Sequence, residues 1–281
     1  MRFGASRFVA GETAEEFIGA ARRANGDGFA VTAGILGEDT QNRQAAAAAA
    51  ASYIDLLQRI ARNEIDSSVA LKVTHLGVEV DKELAFENVA SVAATAQSLG
   101  NFMRLDMEQS HHVDDTLAIY RRLRNQGLQN VGFVLQSYLY RSLDDLANHL
   151  PLGTNVRIVK GAYLEPPSVA YQNKADVDIN YMRLLARSFR HGAFTAVATH
   201  DATIVEAVIR LIEEHKIPRN RFEFQMLYGI STRLADTLRA RGYRVRLAIP
   251  FGSYWFPYLM RRLAERPANL GFFLRNALAR S

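Results

Sequence analysis

The sequence contains no cysteine. That absence removes disulfides, iron–sulfur clusters, zinc fingers and thiol nucleophiles together, so any redox chemistry requires a bound cofactor. Long apolar runs are also missing, and no stretch of about eighteen apolar residues could cross a bilayer. The opening residues MRFGASRFVAGE lack the apolar stretch and small-residue cleavage site of a signal peptide, which points to a soluble intracellular protein. No GxGxxG follows an apolar run, so a Rossmann phosphate-binding turn is excluded. Charge of one sign is scarce as well: 34 Lys and Arg stand against 29 Asp and Glu, for a net charge of +5. The densest basic stretch, Arg233 to Arg246, alternates with apolar residues and lacks the aromatic interleaving of a single-strand binder. The basic residues therefore read as a solvated surface, with no nucleic acid as partner.

What is present is a rhythm. The 281 residues are 48% hydrophobic, enough to bury a large core. Short β-rich runs bounded by turn signals fall at Phe29–Ile35, Val69–Val73, Met103–Met107, Val131–Gln136, Val156–Val159, Thr195–Thr199, Phe222–Met226 and Arg244–Ile249. Between them lie stretches with helical spacing, such as Thr116–Arg124 and Ala202–His215. Apolar strands alternating with helices require a parallel sheet covered by helices, and eight such units close into an α/β fold, the (β/α)8 TIM-type barrel. A doubly wound open sheet is the alternative. Residues 1–27 read as a short N-terminal helical arm, with Thr13 and Glu16 spaced as a capping box, and residues 28–281 as the barrel, all in one domain. The alanine run Ala45–Ala51 continues into Tyr53, Ile54, Leu56, Leu57 and Ile60 at helical spacing, so it is a packed helix rather than a linker.

Polar residues gather at the carboxyl ends of these strands, the face that carries the active site in such barrels. Lys72, Thr74 and His75 end the second strand, Asp106 and Glu108 the third, Gln136 the fourth, and Arg157 with Lys160 the fifth. His200 and Asp201 follow the sixth, Gln225 ends the seventh, and a Gly/aromatic loop, Pro250–Trp255, follows the eighth. Gln136 and Gln225 sit among apolar neighbours, where an amide requires partners that loop backbone or a ligand can supply. A last helix, Trp255–Arg266, places Arg261 and Arg262 side by side with Glu265 within i,i+4 and i,i+3 reach, a forked donor array suited to a carboxylate or phosphate.

Two chemistries compete for these residues. Asp106, Glu108, His111, His112, His200 and Asp201 could bind a divalent metal in a barrel hydrolase or aldolase. Against that, Glu108 alternates away from Asp106 on a strand, and His111 and His112 are sequence neighbours rather than a metal-spaced pair. The second chemistry uses the cations to hold a substrate carboxylate and to stabilise charge on a reduced cofactor. A non-catalytic anion-binding module is the reading from another class.

Read together, LKVTHLG at 71–77, LDME at 105–108, VLQSYLYRS at 134–142, VRIVKGAYLE at 156–165, ATHD at 198–201, FQMLYGI at 224–230 and YLMRRLAE at 258–265 resemble the proline dehydrogenase family, as do RFVAGE and LGED near the N-terminus. The likeness is greatest to its small monofunctional bacterial members. The resemblance implies non-covalent FAD, L-proline as substrate, Δ1-pyrroline-5-carboxylate as product and a membrane quinone as electron acceptor. It also implies a cytoplasmic enzyme, peripheral at the inner membrane, and a separate pyrroline-5-carboxylate dehydrogenase as a partner. By position, Arg261, Arg262 and Lys72 would hold the substrate carboxylate, with Asp106 organising the cations and Arg157 near flavin N5. Lys160, Gly161, Ala162 and Tyr163 would continue the FAD contact, completed by Met107, Gln136, Thr199, His200, Gln225, Leu227 and Glu265. The sequence departs from the family at Ala248, where a tyrosine commonly packs against proline, and Tyr258 or Tyr254 would cover the gap.

Overall fold

The computed structural model describes residues 7–256, 258 and 260. The chain enters through a helix, α1 (Ala14–Gly26), and then alternates strand and helix. The strands are β1 (Ala30–Ile35), β2 (Ser67–Leu71), β3 (Met103–Leu105), β4 (Val131–Gln136), β5 (Asn155–Val159), β6 (Phe194–Ala198), β7 (Phe222–Leu227) and β8 (Val245–Phe251). They are all parallel and pair in chain order, and β8 closes on β1 in the register Ala30–Arg246 to Ile35–Phe251, giving a closed barrel rather than the alternative open sheet. The intervening helices are α2 (Arg43–Arg62), α3 (Lys82–Ser98), α4 (Val113–Asn125), α5 (Ser142–His149), α6 (Lys174–Arg190), α7 (Ala202–Glu214) and α8 (Thr232–Ala240). Each predicted strand is found with its ends moved by at most two residues; β2 shifts at both ends and starts at Ser67, with the Ser68 hydroxyl bonded to Thr32 inside the barrel and the Ser67 hydroxyl bonded to the Ser68 carbonyl.

The arm has a definite packing role. Thr13 caps α1, its hydroxyl accepting from the Glu16 amide at 3.2 Å while the Glu16 carboxylate takes the Thr13 amide at 3.0 Å. The helix packs on β8, β1 and α2, with Phe17 stacked 5.1 Å from Phe251, so it covers the seam where the barrel closes. Ahead of it, Phe8 and Val9 pack on Ile230, with Leu36, Leu227, Trp255 and Tyr258 around them. The alanine run lies inside α2, its Ala46, Ala49 and Ala50 buried with Tyr53, Leu56, Leu57 and Ile60.

Outward-facing strand residues and the inner faces of the helices form one continuous apolar core. The barrel interior is different. Thr32 and Ser68 share a hydrogen bond of 2.8 Å, and Arg104, Glu223 and Arg246 reach inward below them from β3, β7 and β8. Parallel barrels ordinarily fill this space with branched apolar side chains. Here ionic groups fill part of it, and the site above rests on them.

Candidate active site

At the carboxyl ends of the strands a cavity of about 690 Å³ opens. Its wall follows the two-residue alternation of the strands: Thr32 and Gly34 from β1, Val134 and Gln136 from β4, Arg157 and Val159 from β5, Gln225 and Leu227 from β7. Lys72, Asp106 and Met107, just past β2 and β3, join them, as do Lys160, Gly161, Ala162 and Tyr163 after β5 and Thr199 and His200 after β6. Tyr258 lines it from the far side. Every described residue that the family resemblance assigns to substrate or cofactor is thus on one cavity, with Tyr254, the alternative to Tyr258, outside its lining. Arg261, Arg262 and Glu265 lie outside the described residues.

Arg157 is the centre of the floor. Its Nη1 donates to Asp106 Oδ1 at 2.6 Å and its Nε to Gln225 Oε1 at 2.6 Å, while the residue is only 8% exposed. Nη2 is buried and has no hydrogen-bond partner among the described residues. A charged donor left unpaired in such a place is costly. Gln225 is in turn held by the Glu223 carboxylate at 2.5 Å, and Gln136 donates to the Glu108 backbone carbonyl at 2.8 Å. Both amides flagged by their apolar surroundings are therefore satisfied by protein, which makes them positioning groups first.

The remaining charges are paired around the rim. Lys72 forms an ion pair with Glu38, a residue that sequence reasoning did not assign although it lies in the LGED stretch. Lys160 meets Asp178 at 2.6 Å and Asp201 at 3.0 Å, and Lys174 bridges the same two carboxylates. Burial alone would raise the Asp201 carboxyl, but the hydrogen bonds from Lys160 and Lys174 hold it down to about 2. His200 Nε2 accepts from the Leu227 amide at 2.9 Å, tying the end of β6 to the end of β7 and fixing a neutral imidazole acceptor on the wall. Asp201 is thereby a cap and a salt-bridge partner, accepting from the Thr203 amide at 3.1 Å at the start of α7.

The carboxylates of the metal alternative are dispersed. Glu108 is 1% exposed and turned away from Asp106, accepting from the Thr74 amide at 3.1 Å and the Thr74 hydroxyl at 2.6 Å. Burial pushes its carboxyl up to about 7. His75 is also outside the cavity wall, edge-on to Tyr53 at 6.0 Å and pushed down to about 4 by burial and by Lys72. Tyr53, missed because its helical spacing read as packing alone, does reach the cavity and bonds the Ile35 backbone.

Two glycines shape the wall in different ways. A Cβ at Gly34 would meet nothing within 4 Å, and Gly161, at φ +119°, has the Tyr138 ring where a Cβ would go. Backbone therefore borders open space at Gly34 on β1, while Gly161 lets the chain after β5 pack directly on the Tyr138 ring.

Comparison with known proteins agrees with this geometry. The proline dehydrogenase family pattern matches residues 17–275. Proline dehydrogenase 1 of Bacillus subtilis subsp. natto is 39% identical over 277 residues, covering 99% of this chain and 91% of the relative. Proline dehydrogenase of Deinococcus radiodurans is 43% identical over 278 residues, 98% of this chain and 90% of the relative. Among solved structures, proline utilization A (PutA) from Bdellovibrio bacteriovorus, inactivated by N-propargylglycine, superposes with a TM-score of 0.87 at 27% identity over 92% of this chain. This chain spans 32% of that protein's length.

Proposed function

The chain belongs to the proline dehydrogenase family and has the barrel and activity of its monofunctional bacterial members, and from that premise we propose that it oxidises L-proline to Δ1-pyrroline-5-carboxylate with non-covalent FAD lying across the barrel mouth. The observation that carries the finer reading is Arg157, a buried guanidinium on the cavity wall, fixed on two sides by Asp106 and Gln225. A fixed cation on the cavity wall suits a planar ring system that gains negative charge on reduction. The Cβ-free approach at Gly34 fits the same ring system. Bound there, FAD would supply the acceptor for the hydrogen and electron pair leaving the substrate carbon next to nitrogen.

The chain's own residues do the rest. Arg157 favours the anionic reduced cofactor, and Asp106 holds Arg157 in register. Lys160, Gly161, Ala162 and Tyr163 bind the cofactor from the β5 side, with Met107, Gln136, Thr199, His200, Gln225 and Leu227 completing its wall and Glu265 contributing from the C-terminal segment. Lys72, with Arg261 and Arg262, takes the substrate carboxylate. Lys72 already pairs with Glu38, so a substrate carboxylate exchanges one anion for another at an ammonium placed to receive it. The surrounding positive charge favours the neutral secondary amine, the form that can give up hydride. Tyr258 covers the substrate where Ala248 leaves the family tyrosine's place empty. Electrons then leave to a membrane quinone, with the enzyme peripheral at the inner membrane; no helix among the described residues is long and apolar enough to cross it. The product would pass to a separate pyrroline-5-carboxylate dehydrogenase.

A visible spectrum tests the reading. The purified protein is expected to be yellow, to bleach with proline under anaerobic conditions, and to release FAD on heating. A colourless protein that cannot be loaded with FAD would overturn it.

A further inference from the structure

Outside the cavity, the structure brings together three metal-ligating side chains that no part of the proposed reaction uses. His111 and His112 occupy a short 3-10 turn, Ser110–His112, between β3 and α4, and Glu79 lies in the loop between β2 and α3. The imidazole rings stand 4.0 Å apart, and His112 Nε2 is 3.3 Å from Glu79 Oε1. One ligand atom from each of the three residues lies within 4.8 Å of the others. On an extended strand adjacent side chains point to opposite faces, but in this turn the two rings meet, which the sequence spacing alone conceals.

We propose that Glu79, His111 and His112 bind a divalent first-row transition ion, zinc in class, that staples the β2–α3 loop to the turn after β3. Two imidazoles and one carboxylate, without thiolate, suit a borderline cation and leave coordination positions for water. Small side-chain rotations bring the ligands to metal–nitrogen and metal–oxygen distances of about 2.0 to 2.2 Å.

The three ligands stand on backbone that is already fixed. Ser110 takes two bonds of 2.6 Å from its amide and hydroxyl to the Glu165 carboxylate, and the His112 carbonyl accepts from the Thr116 hydroxyl at 2.9 Å. The loop carrying Glu79 is pinned by Asn88, whose amide donates to the Leu76 carbonyl at 3.0 Å, and by the Asp81 amide donating to the Gly77 carbonyl at 3.0 Å. A preordered ligand set loses less freedom on binding than a floppy one. Asp115, in the first turn of α4, is engaged by Lys82 at 2.6 Å and is not needed as a ligand.

The consequence reaches the mouth of the barrel. The turn follows Asp106 and Met107 on the cavity wall, and through Ser110 and Glu165 it is joined to the segment after β5 that carries Gly161–Tyr163. An ion at Glu79, His111 and His112 therefore ties together the loops after β2, β3 and β5 without entering the cavity.

The test uses the untagged, flavin-loaded protein, freed of metal by chelator and desalted, and then titrated with Zn2+. Bound zinc is counted by elemental analysis after gel filtration, and zinc-edge X-ray absorption reads its ligands. The expected result is one zinc per chain with imidazole in the coordination sphere, weakened at least tenfold in His111→Ala and in Glu79→Gln, both of which alter exposed side chains. Zinc should raise the thermal midpoint of the wild type and leave that of the variants unchanged. No zinc retained at micromolar concentration, the same affinity in the two variants, or an edge spectrum without imidazole would each overturn the proposal.

Discussion

Arg157 joins stability to function in one side chain, because the bonds to Asp106 and Gln225 that hold it also keep its charge on the cavity wall. A charged hydrogen bond to a reduced cofactor is worth about 1.5 to 3 kcal/mol, which is roughly 30 to 65 mV on a two-electron couple. Arg157→Met should therefore lower the flavin reduction potential by an amount of that order, while Arg157→Lys retains part of it; spectroelectrochemistry showing equal potentials in all three proteins would count against the assignment. Glu108 makes a different point at the same scale. Its carboxyl, buried and raised from 4.5 to about 7, is more readily protonated folded than unfolded. The stability it lends is present below about pH 4.5 and is lost as pH rises through about 7, by roughly 3 kcal/mol over that range. Glu108→Gln, which mimics the protonated form beside Thr74, should not show this loss. Denaturant titrations at pH 5 and pH 8 should find the variant gaining on the wild type at the higher pH, and a constant gap would refute the assignment.

At the scale of elements, the sequence was most legible where one periodicity dominated. β4 was read to the residue, because Val131–Gln136 is buried throughout and bounded by turn residues. β3 was read two residues too long, since Met107 looks like strand but the pairing with β4 ends at Leu105–Phe133. The cavity wall was largely legible because its polar residues fall at strand ends. Glu38, Tyr53 and the Glu79–His111–His112 group were not, since each depends on which loops or helices meet in space. Gly161 shows how an element junction serves the site. Its φ of +119° and the Tyr138 ring against it exclude a side chain. Gly161→Ala is expected to cost about 1 to 3 kcal/mol in backbone strain and to shift the segment that lines the cavity. A lower FAD-to-protein ratio after gel filtration, with a reduced thermal midpoint, is the expected outcome, and wild-type flavin retention would argue against this segment as a cofactor wall. Thr13→Ala, by contrast, removes one cap of α1 and should cost about 1 kcal/mol with flavin content unchanged.

At the scale of the whole molecule, the barrel carries a polar relay from its interior to its mouth. Glu223, 2% exposed, accepts from Arg246 at 2.7 Å, Arg244 at 3.1 Å and Gln225 at 2.5 Å. Arg246 continues to the Val31 carbonyl on β1 at 2.6 Å, and Gln225 continues to Arg157 and so to Asp106 on the far side. Strands β1, β5, β7 and β8 and the residue that follows β3 are thus cross-linked by one network. An apolar interior would be as stable or more so, but it could not hold a guanidinium at a fixed height under a cofactor. Burial alone would raise the Glu223 carboxyl, yet Arg246 and its companions keep it below 4.5. Its stabilising effect is therefore present above about pH 4.5 and is lost as pH falls. Glu223→Gln leaves Arg246 buried without its counter-charge, and breaking one side of such a pair costs about 3 to 5 kcal/mol. The variant should be destabilised at pH 7 by that order, and the difference should shrink on acidification as the wild type loses the same interaction. Gln225 would also lose its anchor, so the flavin potential should move in the direction seen for Arg157→Met, by less. Destabilisation with an unmoved potential would mean that the relay supports the barrel alone, whereas both changes together would show that its interior charges set the height and orientation of Arg157.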